Sequence, residues 1–297
     1  MSTLSPSVAV IIPCYNRESF IRETIDSALS QTYRNIETIV VDDGSTDNSR
    51  KILDSYKDRI RVLEHPGGVN RGQSATINLG LRSSKSEYVA ILDSDDVWVP
   101  HKIERQVHFL ERNPEFGLVY CNGSAIDGDG KILYPVYGSD HIEENRPERV
   151  LLDCYFNVPS NSLIRRSALD RAGYFDESMR SAQDHDMAIR LAEVTKVAYL
   201  EEILWFYRKH ADTQSGKYAG RRWKTGFRIL KKACERRHYG WNVRRRRLAV
   251  LNFRLGQCFV EERRLGPALA RFALAGMLDP LRGIRVLLGF EPVTGPH

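Results

Sequence analysis

Tyr88-Val89-Ala90-Ile91-Leu92-Asp93-Ser94-Asp95-Asp96 runs from apolar residues straight into three carboxylates within four positions. The apolar part reads as a buried strand. A strand holds its end rigidly and points alternate side chains the same way, so Asp93 and Asp95 can converge on one hard cation. Carboxylate oxygens suit Mg²⁺ or Mn²⁺, which are held by one or two carboxylates together with substrate phosphates. The competing reading is an acidic turn capping a helix that starts near Pro100, since Asp is a common N-cap. An EF-hand is disfavoured, because Val97 and Trp98 follow and the loop glycine is absent.

Outward from this stretch the chain alternates. Residues 7–12 form a β-branched apolar run ended by Pro13 and read as a strand. Phe20, Ile21, Ile25, Ala28 and Leu29 then fall at helical spacing. Residues 36–41 are a second strand, followed by Asp42-Asp43-Gly44-Ser45 and a helix to about Tyr56. Residues 60–63 are a third strand, and a Gly-rich loop over 66–72 leads into a helix through Leu81. Beyond Asp96, Ile103, Val107 and Leu110 mark an amphipathic helix and residues 117–121 another strand. Asp127-Gly128-Asp129-Gly130 reads as a hairpin turn. The alternation predicts an α/β fold with a mostly parallel sheet flanked by helices. Ligands bind such sheets outside the carboxyl ends of the strands. Pro13-Cys14-Tyr15-Asn16-Arg17, Asp42-Asp43-Gly44-Ser45 and Asp93-Ser94-Asp95-Asp96 all follow strand ends and would line one rim. No G-x-G-x-x-G follows the first strand and no G-x-x-x-x-G-K-[ST] occurs, which disfavours dinucleotide binding and a P-loop.

The composition is that of an ordinary globular protein: 297 residues, 42% hydrophobic and 28% charged. One large domain, or one domain with an appendage, fits that length. The five cysteines (Cys14, Cys121, Cys154, Cys234, Cys258) include no CxxC pair and read as thiols of a reducing compartment. No run has the length of a membrane span and the N-terminus lacks a signal-peptide core, so a cytoplasmic location is the expectation. The net charge of +6 is uneven, with Arg221-Arg222, Lys231-Lys232, Arg236-Arg237 and Arg244-Arg245-Arg246-Arg247 in the last third. Such clusters attract nucleic acid, anionic lipid or phosphate-bearing substrates, or simply solvate helix faces.

Several ordered motifs resemble those of family 2 glycosyltransferases of the GT-A (Rossmann-like) fold, over roughly residues 7–215. They are Val10-Ile11-Ile12-Pro13-Cys14-Tyr15-Asn16, Ser30-Gln31-Thr32-Tyr33, Val40-Val41-Asp42-Asp43-Gly44-Ser45-Thr46-Asp47, Asn70-Arg71-Gly72, Leu92-Asp93-Ser94-Asp95-Asp96, Gly173-Tyr174-Phe175-Asp176-Glu177 and Gln183-Asp184-His185-Asp186. The resemblance implies an inverting transferase that uses a nucleotide-diphosphate sugar. It puts Pro13, Tyr15 and Arg17 around the nucleotide, makes Asp43 an acceptor for the base, and leaves Asp42 to hold the loop. Asp93-Ser94-Asp95 corresponds to the DxD motif, which meets the ribose and the metal-bound diphosphate. Asp95 and Asp96 are both candidates for direct ligation of Mn²⁺ or Mg²⁺.

Attack by an acceptor hydroxyl needs a base, and the leaving diphosphate needs its charge stabilised. Asp184 takes the base's place in the family's Glu-Asp motif, although Gln183 replaces the usual acid. The alternative is that Asp184 and Asp186 only begin the helix over 187–192. Trp205-Phe206-Tyr207-Arg208-Lys209-His210 resembles a Tyr-Arg-x-His segment, so Arg208 or His210 is expected at the diphosphate; an ordinary surface run is the other reading. Many members carry Arg where this chain has Ile77, and Arg71 is expected to supply that contact. Residues 157–162 are expected on the acceptor side.

From about residue 216 the pattern turns helical. Leu251, Leu255, Gly256, Phe259, Ala268, Phe272, Ala275 and Pro280 fall at the spacings of one tetratricopeptide unit. The expected domains are 1–215, the transferase, and 216–297, a basic helical region. The latter either packs on the transferase domain or docks a partner or the inner membrane leaflet. Basic residues among Trp223, Phe227, Ile229 and Leu230 suit an interfacial helix. The leading expectation is a metal-dependent transferase acting on a hydroxyl acceptor of a polysaccharide, glycolipid or glycoprotein, with no nucleic-acid partner. A sugar nucleotidyltransferase would place a Gly-rich basic loop where Pro13-Cys14-Tyr15-Asn16-Arg17 stands. A catalytically silent scaffold is opposed by the intact Asp43, Asp93, Asp95 and Asp184.

Overall fold

Seven consecutive residues of the first strand, β1 (Val8–Cys14), are buried, and this strand sits inside a nine-stranded sheet. The computed structural model describes residues 5–153, 155, 156, 158–210 and 219–287. The chain divides into two compact units, Met1–Asn145 with Tyr155–His210, and Arg146–Cys154 with Ala211–His297.

In the first unit β1 is followed by α1 (Ile21–Leu29), β2 (Ile36–Asp42), α2 (Ser49–Asp54), β3 (Arg61–Glu64), α3 (Gln73–Ser83) and β4 (Tyr88–Ile91). These strands pair in parallel in the order β3-β2-β1-β4. Ile11 lies beside Ile39 on one side and Ile91 on the other, so β-branched residues buried on both faces form the core. Ile21, Ile25 and Ala28 bury the inner face of α1. Gly80 lets α3 lie on β1: a β-carbon there would come within 2.5 Å of Ile11 Cγ2.

The rest of the sheet departs from the expectation of mostly parallel pairing. After β5 (Val97–Trp98), α4 (Lys102–Arg112), β6 (Phe116–Ile126) and β7 (Ile132–Pro135) come β8 (Ser162–Arg165), α6 (Arg166–Ala172), α7 (Gln183–Val194) and β9 (Lys196–Arg208). The full order is β3-β2-β1-β4-β8-β6-β9-β5, with β7 on β6. β8 is antiparallel to both β4 and β6, and the β5–β9 and β6–β7 pairs are antiparallel too, so the sheet is mixed. The physical reason is long-range pairing. β8 is four residues long and its pairing is set by distant strands, so no periodicity announces its direction.

The second unit includes α5 (Pro147–Leu152), and continues with α8 (Ala219–Arg236), α9 (Trp241–Glu261), α10 (Leu265–Leu278) and α11 (Pro280–Leu287). Arg247 Nη1 donates to the Leu152 carbonyl at 2.8 Å. Leu255, Phe259 and Ala268 form a small core with Phe227 and Phe272 against it. Gly256 permits the close approach, since a β-carbon there would meet the Phe272 ring at 2.7 Å. Of the residues offered for an interfacial helix, Ile229 and Leu230 are buried and Trp223 and Phe227 half-buried, with Phe227 against the small core, which favours the packing alternative for this segment. The expected boundary at residues 215/216, Cys154 and Asn157 lie outside the described residues.

Candidate active site

The parallel strands β1, β2 and β4 end on one rim. Cys14 lies opposite Asp42, and the Asp43 N–H donates to the Cys14 carbonyl at 2.8 Å. The Leu92 N–H donates to the Ile11 carbonyl, which brings Asp93 out beside them. The loop after β1 is tied to the loop after β2. Asn16, at φ 50°, accepts the Thr46 N–H on its side chain, and its own N–H donates to Ser45 Oγ. The Arg17 N–H donates to Ser49 Oγ at 2.8 Å. Pro13 is buried, while Tyr15 stands 40% exposed on the rim.

Asp43 is almost wholly buried and accepts two backbone N–H groups, Arg71 at 2.7 Å and Gly72 at 2.9 Å. His65 Nε2 lies 3.6 Å from it. Asp42 accepts the Ser45 N–H. Both aspartates therefore hold loops, where the sequence assigned that task to Asp42. The Arg71 side chain is exposed.

The acidic end of β4 is supported from below by Ser160. This residue is buried and held at φ 63°, a left-handed conformation that costs a non-glycine residue energy. Its hydroxyl accepts the Asp93 N–H at 3.1 Å and also bonds the Asp96 carboxylate. Its carbonyl accepts the Trp98 indole N–H. Asp96 is 2% exposed and accepts the Arg208 N–H at 3.0 Å. Burial and the charges of Asp95 and Asp93 raise its pKa. Ser94 is buried beside it. Asp95 stays at the rim, with Arg17 Nε at 3.2 Å and His210 Nε2 at 3.1 Å from its Oδ2.

Arg208 is enclosed. Its guanidinium donates to Glu23 at 2.5 Å, to the Asp95 carbonyl at 2.9 Å and to the carbonyls of Asp127 and Gly128. It also lies over the Phe20 ring. His210, rather than Arg208, reaches an acidic side chain of the rim.

Asp184 arrives from far along the chain. The Asn78 side chain holds Phe175 by both its N–H and its carbonyl and bonds Glu177. Arg180 Nη1 donates to the Arg71 carbonyl at 2.8 Å. This lacing of residues 173–182 onto α3 delivers the start of α7 to the rim. There Gln183 Nε2 donates to Gln73 Oε1 at 2.7 Å, and Gln73 Nε2 donates to Asp93 Oδ1 at 2.9 Å. The two acids of the first turn have different fates. Asp186 is fully buried and paired with Arg190 at 2.8 Å. Asp184 is half-buried, and no described side chain donates a hydrogen bond to it. His185 is buried.

Electrostatics joins these positions. The Asp93 carboxyl is pushed up to about 7, first by burial and then by the charges of Asp95 and Asp184. The charges of Asp95 and Asp184 thus both bear on Asp93, while Arg17 and His210 contact Asp95. Among the described residues no group of three or more His, Cys, Asp or Glu side chains is placed to hold a metal ion by itself. Two carboxylates with diphosphate oxygens and water are the donor set that Mg²⁺ and Mn²⁺ take, and a divalent charge would relieve the crowding that raises Asp93. A cavity of about 650 Å³ lies elsewhere, lined by Pro6, Asn35 and α4 residues near the starts of β1 and β2. Gln73 and Glu23 carried no sequence signal, and Ser160, expected only within the acceptor-side stretch 157–162, instead supports the acidic end of β4. The positive φ of Ser160 and the amide bridge of Gln73 exist only in the folded chain.

Comparison with known proteins gives the following. The model of glycosyl transferase family 2 matches residues 9–173. An uncharacterized glycosyltransferase of Rickettsia bellii is 36% identical over 231 residues, 73% of this chain and 32% of that one. The chain thus spans about a third of that relative's length. S. aureus TarS residues 1–349 in complex with UDP-GlcNAc has a TM-score of 0.67 at 19% identity, covering 93% of this chain and 83% of that one. The mannosyltransferase PcManGT from Pyrobaculum calidifontis, in complex with GDP-Man and Mn²⁺, has a TM-score of 0.63 at 20% identity, covering 98% and 82%. At these identities the structural likeness speaks for the fold.

Proposed function

The chain belongs to glycosyl transferase family 2, and from that premise we propose that it moves a sugar, with inversion, from a nucleotide-diphosphate donor to an acceptor hydroxyl. The observation that supports this reading is the hydrogen-bonded bridge from Gln183, at the start of α7, through Gln73 to Asp93, together with the charges of Asp95 and Asp184 acting on Asp93 and with Arg17 and His210 beside Asp95. Asp184 is the base: among the described residues no side chain donates to its carboxylate, which accepts the proton of the acceptor hydroxyl. The acceptor oxygen bonds the anomeric carbon as the bond to the diphosphate breaks. Asp93 and Asp95 would hold a divalent cation, which would offset the charge of the leaving diphosphate. Asp96, buried against the Arg208 backbone, supports that loop. Pro13, Tyr15, Arg17 and Arg71 frame the nucleotide, and Asp43 fixes the loop that faces the base while keeping a lone pair for it. The Mn²⁺ and GDP-Man of PcManGT and the UDP-GlcNAc of TarS are precedents for the ligand class on this fold. The acceptor belongs to a polysaccharide, glycolipid or glycoprotein.

A panel of UDP- and GDP-sugars with Mn²⁺ tests the reading. Release of nucleoside diphosphate, abolished by a chelator, is the expected result. Pyrophosphate exchange would make the protein a nucleotidyltransferase, and neither reaction would make it a scaffold.

A further inference from the structure

Residues 219–287 hold 18 Lys and Arg against four Asp and Glu, a net charge of +14, whereas the whole chain carries +6 and the remainder therefore −8. The same segment exposes large apolar side chains. On α10 Leu265, Leu269 and Met277 are 64–73% exposed and recur at spacings of four and eight, along one stripe of the helix. On α11 Leu281 and Ile284 continue the series. In α10 the one charged residue of fourteen is Arg271, which is held by Asn252.

The start of α9 joins this stripe at one corner. Arg245 donates to the Leu278 carbonyl, and Arg246 lies 3.8 Å from Asp279. Trp241, 65% exposed, and the exposed Arg244 lie on the same first turns of α9 as these two arginines, and the exposed Met277 and Leu281 flank the Leu278–Asp279 corner that the arginines contact. Single exposed leucines are ordinary, but an aliphatic stripe ending in a tryptophan and rimmed by arginines marks a docking surface.

We propose that this corner, Trp241, Met277, Leu281 and Ile284 with Arg244 and Arg246, docks the protein on a bilayer surface containing anionic phospholipid. A second copy would set +14 against +14, which opposes self-association through this face. A nucleic acid would use the arginines and leave the aliphatic stripe in water. A bilayer uses both: phosphates pair with guanidinium groups, and Trp, Leu and Met sit at the acyl boundary. No described helix is long and apolar enough to cross a membrane, so the contact is interfacial. In the segment the sequence put forward, Ile229 and Leu230 are buried and Trp223 and Phe227 half-buried, so the corner described here is the more exposed apolar surface.

The test is flotation of the full chain with phosphatidylcholine vesicles, alone or with about 30% phosphatidylglycerol, at about 0.1 M salt. The expected result is capture by the anionic vesicles, at least about tenfold weaker without phosphatidylglycerol. The paired substitution Met277→Ser with Leu281→Ser should weaken capture about tenfold or more, and Arg244→Gln about fivefold. A blue shift of tryptophan emission on vesicles, lost in Trp241→Phe, places that ring at the interface. The substituted residues are exposed, so nucleotide binding should be unchanged. Failure of the anionic vesicles to capture the chain, or capture indifferent to the Met277/Leu281 pair, overturns the proposal. So does a concentration-dependent dimer that the same pair dissolves, or binding to duplex DNA that the pair weakens equally.

Discussion

Lys102 is fully buried, and among the described residues its ammonium meets one acceptor, Gln106 Oε1 at 2.7 Å, with the Trp98 ring 4.2 Å away. Burial pulls its pKa from 10.5 down to about 8. Between those values the unfolded chain binds more protons than the folded one, so stability rises with pH from about 8 to about 10.5. Below about pH 8 the full cost of the buried charge, about 3 kcal/mol, is present. Lys102→Met should therefore stabilise the protein by about 2 kcal/mol at pH 7, after the loss of the Gln106 contact. Urea unfolding at pH 7 and pH 10 should show that gain shrinking at the higher pH. Arg208 is the opposite case, a buried cation met on every side. Arg208→Ala should cost about 3–5 kcal/mol in the same assay, because Glu23 and three carbonyls lose their donor. A normal melting curve with weakened donor binding would instead put Arg208 at the substrate.

Among the elements, α3 does the most to assemble the pocket. Its first residue, Gln73, bonds Asp93; Asn78 holds the 173–177 segment; and Gly80 sits on Ile11. Gly80→Val should push α3 off β1 and destabilise by about 1–3 kcal/mol, read as a lowered melting temperature. The β1–α1–β2–α2–β3–α3–β4 series was legible in the sequence because the elements differ in period and several have a stop such as Gly44, although β1 runs on through Pro13 to Cys14. The same was true of the acidic residues, which sit where strands end. The antiparallel β8 and the Ser160 support were not legible, since one depends on distant strands and the other on a backbone angle. Asp184 and Asp186 could not be told apart by spacing alone. Their separation came from burial and from Arg190, which takes one and leaves the other.

For the whole molecule the question is whether residues some 140 positions apart in sequence, Asp43 and Asp184, serve one ligand. Binding to the folded state alone raises stability by about 2.7 kcal/mol at a hundredfold excess over Kd, so a nucleotide diphosphate with Mn²⁺ should raise the melting temperature. A chelator should remove most of that gain, and Asp95→Ala should remove it likewise. The most direct test pairs two readings on the Asp184→Asn protein: sugar-donor turnover and Mn²⁺-dependent nucleotide affinity. Turnover should fall by about 100-fold or more while affinity stays within about twofold of wild type. Turnover that survives, or affinity that collapses together with it, would contradict the assignment of Asp184 as the base of a shared pocket.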